Sequence, residues 1–180
     1  MPDVKVTIRL IEAGDRLTGL SLGDAAFTPL KTFLQRHAKA YQHASLARTY
    51  GAFLEGRIVG YITLRCGEIA LDDGDAALVQ DELQYSYNQY PAIKIARLAV
   101  ARAHAGNGIG RLLVELALGI AADSISPYVG CRFVVVDSKR QSVGFYNNVG
   151  FTMLNTPSNE VRDEPVMFLD LLRAQSATTG

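Results

Sequence analysis

Residues Ile93 to Ile120 read IKIARLAVARAHAGNGIGRLLVELALGI, and three kinds of pattern follow one another inside this stretch. Ile93–Val100 is dense in apolar residues, the composition of a strand covered on both faces. From Ile109 onward, Ile109, Leu112, Leu113, Leu116 and Ile120 recur at i, i+3, i+4, i+7 and i+11, which predicts a helix burying one face. Between them Gly106, Gly108 and Gly110 occupy alternate positions. Glycine has no Cβ and takes up positive φ without strain, so it lets the backbone approach a ligand closely. The first N–H groups of the helix that follows have no partner within it, and the helix dipole makes that end partly positive. Strand, glycine loop and helix N-terminus in this order predict an anion site, with phosphate as the usual guest. The alternative is a loop that only makes the tight turn from strand to helix. Gly106-x-Gly108-x-Gly110 is not G-x-G-x-x-G and does not end in Lys-Ser/Thr, so a nicotinamide or ATP site is disfavoured.

On the N-terminal side, VKVTIRLI (Val4–Ile11) alternates apolar and polar residues and reads as a strand. Asp24–His43 places Phe27, Leu30, Phe33, Leu34 and Ala38 at helical spacings with Pro29 in a first turn, which predicts one amphipathic helix, with a break left open. ARTYGAFLEGRIVGYITLRC gives two apolar runs about Glu55-Gly56-Arg57, the pattern of a β-hairpin. From Cys66 to Ile93 there are six acids (Glu68, Asp72, Asp73, Asp75, Asp81, Glu82) and, before Lys94, no Lys or Arg. That acidic connection contains ALVQDEL, read as a short helix, and Pro91, which favours extended backbone before the central strand. On the C-terminal side, CRFVVVD (Cys131–Asp137) reads as a buried strand, QSVGFYNNVGF as a short helix ended by Gly150, PVMFLDLL as a last strand and AQSATTG as an unstructured tail.

A chain of 180 residues fits one domain, here residues 1–173, followed by a flexible tail at 174–180. Hydrophobic residues at 48% and charged residues at 20% are the balance of a folded soluble protein. Lys plus Arg equals Asp plus Glu at 18 each, so whole-chain charge steers towards neither nucleic acid nor membrane. Cys66 and Cys131 lack metal-ligand spacing; no metal is expected, and both read as small buried apolar residues in a reducing compartment. The N-terminus has no signal-peptide pattern and no apolar run approaches the roughly 18 residues that span a bilayer, so the cytoplasm is the expected location and a membrane is not an expected partner.

Taken with its flanks, IARLAVARAHAGNGIGRLL resembles the acetyl-CoA signature of the GNAT superfamily of N-acetyltransferases, in which Arg/Gln-x-x-Gly-x-Gly/Ala follows a central strand and opens a helix. Gly108 and Gly110 match its small positions, and Ala105 stands where the family usually carries Arg or Gln. VGFYNNVGF resembles the family's Leu/Phe-Tyr-x-x-x-Gly-Phe segment. FTPLKTFLQRHA, RTYGAFLEGRIVGYITL and YPAIKIARLAV resemble the branch that contains bacterial acetyltransferase toxins and their non-toxin relatives. The resemblance implies an α/β (α+β) fold of the GNAT type: a mixed central sheet of about six to seven strands with a splayed central strand, flanked by about four helices. It also implies acetyl-CoA as cosubstrate.

Within that resemblance, Ala105, Gly106, Asn107, Gly108, Ile109 and Gly110 would wrap the pyrophosphate, with Arg111 replacing part of the charge missing at Ala105. Leu98, Ala99 and Val100 match the splayed strand end, which pairs with the pantetheine arm, and the N–H of Val100 is the candidate oxyanion donor. Ser142, Phe145 and Tyr146 lie on the second motif. Tyr146 corresponds to the family's general acid, which gives the leaving thiolate its proton; read from helical spacing alone it is a core aromatic. Asp137 and Glu68 are the candidate bases, although a carboxylate in such a place is more often a solvated strand-end group. His104 reads as a loop-packing residue.

The acidic run points to a cationic acceptor such as a polyamine, an amino sugar or a basic peptide, and so to a small-molecule or peptide amine as partner, with nucleic acid disfavoured. Lys31, Arg36, Lys39, Arg48 and Arg57 in the first helix and hairpin are the counterweight and keep aminoacyl-tRNA open as a toxin-type substrate. A third reading is a non-catalytic module that binds coenzyme A. A homodimer is left open.

Overall fold

A computed structural model of the chain describes residues 5–71, 85 and 87–178. Seven strands stand in the order β1-β2-β3-β4-β5-β7-β6. β4 and β5 run parallel, whereas β1–β2, β2–β3, β5–β7 and β6–β7 are antiparallel, so the sheet is mixed as expected. Contacts divide the chain into two compact units, residues 1–65 with 96–116, and residues 66–95 with 117–180. The strands β3 (Arg57–Ala70) and β4 (Gln89–Val100) each begin in one unit and end in the other.

The first unit is built outward from a hairpin. β1 (Thr7–Leu10) pairs with β2 (Arg48–Leu54), and β2 pairs with β3 with Leu54 opposite Arg57. Only Glu55 and Gly56 lie between them, both at positive φ (48° and 75°), the two-residue turn whose twist matches that of the strands. The predicted helix from Asp24 to His43 is broken. Asp24 caps a short 3-10 turn at Ala25–Phe27, α1 covers Thr28–Arg36 and α2 covers Ala38–His43. The break falls at His37, whose φ of −122° leaves the helical region. It lets Phe33, Leu34 and Ala38 all enter one core with Ile11, Leu20 and Tyr61.

α3 (Ile109–Gly119) starts in this unit, and the helix widens into a π turn over Ile120–Ile125. Ile109 and Leu113 are buried, but Leu112 is 46% exposed, because the i+3 position lies at the edge of the buried stripe. Gly60 on β3 explains how closely these pieces pack: a Cβ there would meet Ala99 O at 3.1 Å, Ile109 at 3.3 Å and Leu113 at 3.5 Å. Ala101 N–H donates to Val59 O at 2.8 Å and Arg102 N–H to Ser21 O at 2.9 Å, which fixes the chain as it leaves β4.

In the second unit, Ala92–Ile95 of β4 pair with Phe133–Val136 of β5 (Phe133–Asp137), and β7 (Val166–Asp170) lies between β5 and the two-residue edge strand β6 (Thr152–Met153). Phe133 sits at its core, edge-on to both Tyr90 and Phe168. α4 (Val143–Asn148) is the predicted short helix, closed by Gly150 at φ +97°. α5 (Pro157–Glu160), capped by Thr156, has no counterpart in the sequence reading.

Several expectations are corrected. β4 begins at Gln89, four residues early, and takes in Pro91. β5 begins at Phe133 and leaves out Cys131. The last strand stops at Asp170, whose carboxylate accepts from Leu172 N–H at 3.0 Å and so starts a helix, α6 (Leu171–Thr178), that covers most of the stretch expected as a tail. Cys131 is buried but Cys66 is exposed, because β3 passes from its buried centre to an exposed stretch at Arg65 and Cys66. The segment ALVQDEL and the acids Asp72, Asp73, Asp75, Asp81 and Glu82 lie outside the described residues.

Candidate active site

The β4–β5 register ends at Ile95 opposite Val136, yet β4 runs on to Val100, so Ala96 to Val100 have no register partner on β5. Leu98, Ala99 and Val100 lie in this stretch. Ala99 is buried, and Leu98 and Val100 are half-buried. A strand that continues without its neighbour is a place where an extended ligand can add on as one.

The loop follows after one 3-10 turn at Arg102–His104, with Ala105 extended and exposed behind it. Gly106 and Gly108 both have φ +79°, and a Cβ at either would meet nothing within 4 Å. Glycine is required there for the left-handed backbone, and the space above it is open. The first bond of the helix runs from Leu112 N–H to Gly108 O at 3.0 Å. Among the described residues the N–H groups of Gly106, Gly108, Ile109 and Gly110 have no hydrogen-bond acceptor. Asn107 and Arg111 are exposed, and Ile109 is buried as the first anchor of α3. Four unfilled donors at a helix N-terminus fit the pyrophosphate of a coenzyme A thioester. All of these residues, Leu98 to Arg111, belong to the first unit.

Tyr146 belongs to the second unit. It is 5% exposed, edge-on to Phe145 and Phe151 with ring centroids 5.1 and 5.4 Å away. Burial pushes its phenol well above the ordinary value, which holds it in the protonated form. Among the described residues its hydroxyl has no hydrogen-bond partner. Tyr61, the other deeply buried tyrosine, donates to Leu30 O at 2.6 Å. Phe145 and Ser142 are half-buried, and Ser142, at the start of α4, makes no side-chain cap.

The two candidate bases fare differently. Asp137 Oδ2 accepts from Lys94 Nζ at 2.6 Å, so its carboxylate is held in an ion pair. Glu68 is exposed on β3 and not at a strand end as its sequence position suggested. His104 is half-buried in the turn before the loop.

Arg97 escaped the sequence reading. Its guanidinium lies 3.8 Å over the ring of Phe33, two residues before Ala99. The available signal was a second charge, after Lys94, in a strand otherwise read as apolar on both faces.

Among the described residues there is no cluster of three or more His, Cys, Asp or Glu that could hold a metal. No helix among them is long and apolar enough to cross a membrane.

The sequence profile of the Acetyltransferase (GNAT) family matches residues 21–151. The chain is 29% identical over 176 residues to a tRNA-acetylating toxin of Mycobacterium tuberculosis, covering 96% of this chain and 95% of that one. Among solved structures it resembles a Tyr-to-Phe mutant of KacT, with TM-score 0.79 and 22% identity over 96% of this chain and 98% of that one. It resembles AtaT complexed with acetyl-methionyl-tRNAfMet equally well, with TM-score 0.79 and 21% identity over 97% and 99%. A Tyr-to-Phe mutant of AtaT, bound to the C-terminus of the antitoxin AtaR and acetyl-CoA, matches with TM-score 0.75 and 22% identity over 98% and 99%.

Proposed function

Because the chain belongs to the GNAT acetyltransferase family, whose members use acetyl-CoA, we propose that it acetylates the α-amino group of an aminoacyl-tRNA in the cytoplasm. The observation that carries this choice of acceptor is the distribution of charge. The chain is neutral, but the unit that holds the glycine loop and the end of β4 has twelve Lys and Arg against six Asp and Glu, and the other unit has six against twelve. Phosphates are drawn to the first. The tRNA-acetylating relative, matched over 96% of this chain, supports the same reading. The preference for a small cationic amine, drawn from the acidic connection, is thereby reversed.

Of the basic residues first grouped as a footprint, Lys39 donates to Ala13 O and Asp15 O and Arg48 to Gln42 O, so these two also brace the fold. Lys31, Arg36 and Arg57 are exposed, and their side chains make no hydrogen bond or ion pair among the described residues.

The cosubstrate supplies an activated acetyl thioester. The loop from Ala105 to Arg111 binds its pyrophosphate through the unfilled N–H groups, and Leu98 to Val100 pair with its pantetheine arm. The N–H of Val100 meets the oxygen that becomes negative when the amine attacks. As the C–S bond breaks, Tyr146 gives its hydroxyl proton to the departing thiolate. The amine's own proton passes to water, and solvent returns a proton to the Tyr146 phenolate. An α-amino group titrates at about 8 and a lysine amine at about 10.4, so the proposed acceptor is partly neutral at physiological pH and needs no strong base. This agrees with Asp137 being held by Lys94.

The test is an acceptor panel of aminoacyl-tRNA, spermidine, an aminoglycoside and a lysine peptide with labelled acetyl-CoA. Acetylation of aminoacyl-tRNA that falls steeply with added salt is the expected result. An inert tRNA beside an acetylated polyamine overturns the reading.

A further inference from the structure

Six Lys or Arg residues are half-buried: Arg9, Lys39, Lys94, Arg97, Arg132 and Lys139. Five have an acceptor for their charge. Arg9 holds Asp15, Lys39 holds the carbonyls of Ala13 and Asp15, Lys94 holds Asp137, Arg132 holds Asp170 and Lys139 holds Glu164. The Arg97 guanidinium has neither a hydrogen bond nor an ion pair among the described residues. A partly desolvated guanidinium with five unanswered donors is costly to keep in place.

It is nevertheless held firmly. Phe33 lies 3.8 Å below the guanidinium and is 4% exposed. Tyr41 packs edge-on against Phe33 at 5.3 Å, and the Tyr61 hydroxyl ties α1 to β3 through Leu30 O. One face of the cation is therefore covered by an aromatic ring, and the donors on its rim remain for a ligand. Arg97 also stands in the stretch of β4 that has no partner on β5, three residues before Val100.

We propose that Arg97 is an acceptor-binding residue that grips a backbone phosphate next to the aminoacyl end of the tRNA. The chemistry follows from the acceptor, so the assignment rests on the reading above. In an aminoacyl-tRNA the carboxylate of the amino acid is esterified, and the nearest anion to the reacting amine is the phosphodiester joining the last nucleotides. A planar guanidinium matches that group in a bidentate way, and stacking on Phe33 fixes its plane in advance. Arg97 sets the distance between the bound phosphate and the amine and takes no part in proton transfer.

The experiment compares two acceptors that differ in phosphate: an aminoacyl-tRNA and a phosphate-free 3′-aminoacyl-nucleoside. In Arg97→Gln, kcat/KM for aminoacyl-tRNA is expected to fall about tenfold or more through KM, and the salt slope by about one. The KM for acetyl-CoA and the rate with the nucleoside are expected to stay unchanged. Arg97→Lys keeps the charge and much of the stem; it covers the case in which the glutamine variant does not fold, and should show a smaller loss on aminoacyl-tRNA alone. Equal losses on both acceptors, or no loss on either, overturn the assignment. A wild-type protein that acetylates spermidine and neither aminoacyl acceptor overturns the substrate reading, and this assignment with it.

Discussion

The hydroxyl of Tyr61 donates to the backbone carbonyl of Leu30 at 2.6 Å, joining β3 to α1 across 31 residues of sequence. Tyr146 is as well buried, and its hydroxyl has no acceptor among the described residues. Burial raises both phenols above their ordinary value, but only one hydroxyl is engaged in holding the fold. Tyr61→Phe should therefore destabilise by about 1 kcal/mol and leave kcat unchanged. Tyr146→Phe should leave the thermal midpoint unchanged or raised, since it removes an unanswered polar group, and lower kcat at least about tenfold. Because burial favours the protonated phenol, the proposed proton donor stays loaded as pH rises through about 10. An alkaline fall in kcat below pH 9 that disappears in Tyr146→Phe would contradict the raised phenol, and an unaltered kcat in that variant would contradict the proposed role.

Asp15 predicts an acid limb in stability. It accepts from both terminal nitrogens of Arg9, at 2.7 and 2.8 Å, and this holds its carboxyl down at about 2, with help from the Glu12 N–H and Lys39. A depressed carboxyl contributes stability above its unfolded value near 3.8 and loses it as pH falls towards 2. The difference in unfolding free energy between wild type and Asp15→Asn should be about 1 kcal/mol at neutral pH, since Arg9 is partly exposed. It should shrink between about pH 4 and pH 2. A difference that stays constant down to pH 2 would rule the ion pair out as its source.

The loop should respond in opposite directions at two positions. Gly108→Ala imposes a side chain on a left-handed residue, which costs about 1 kcal/mol, and places a methyl where the anion is proposed to sit, so the KM for acetyl-CoA should rise. Ala105 is extended and exposed, so Arg fits there without strain. Ala105→Arg restores the family's usual cation and should lower the KM for acetyl-CoA about two- to fivefold, the scale of one exposed charge pair. Titration of coenzyme A by calorimetry distinguishes these changes from effects on turnover.

Gly60→Ala tests whether the end of β4 and the start of α3 are held in register. The new Cβ would lie 3.1 Å from a backbone oxygen at Ala99, which cannot swing aside as a side chain does. A loss of about 1–3 kcal/mol is expected, together with weaker acetyl-CoA binding. Gly144→Ala is the control, because nothing lies within 4 Å of its Cβ position in α4; there the change should stabilise by up to about 1 kcal/mol. If Gly60→Ala keeps wild-type stability, the close approach is not limiting.

Much of this protein is legible in local patterns. The hairpin about Glu55-Gly56 follows from turn chemistry, α3 from the period of its leucines, and the loop from its alternate glycines. The break at His37 is not visible, because Phe33, Leu34 and Ala38 fit one continuous helix on spacing alone and only the core they share requires the kink. The end of the last strand is hidden for a similar reason: Asp170 ends it by turning its carboxylate to Leu172 N–H, and the apolar run continues across that point.

By itself, the sequence determined most of the order of elements, the glycine loop and the position of the tyrosine, because each depends on residues close together in the chain. Tertiary structure decided which groups are occupied. Lys94 and Asp137 meet across 43 residues and hold a candidate base in an ion pair, while Arg97 finds a ring to lie on and, among the described residues, no anion to bind. The β4–β5 register stops at Ile95 although the strand continues to Val100. A neutral chain becomes a basic unit and an acidic one only when distant segments are gathered together. Pairing, burial and summed charge are properties of neighbours in space, and a one-dimensional pattern carries no record of them.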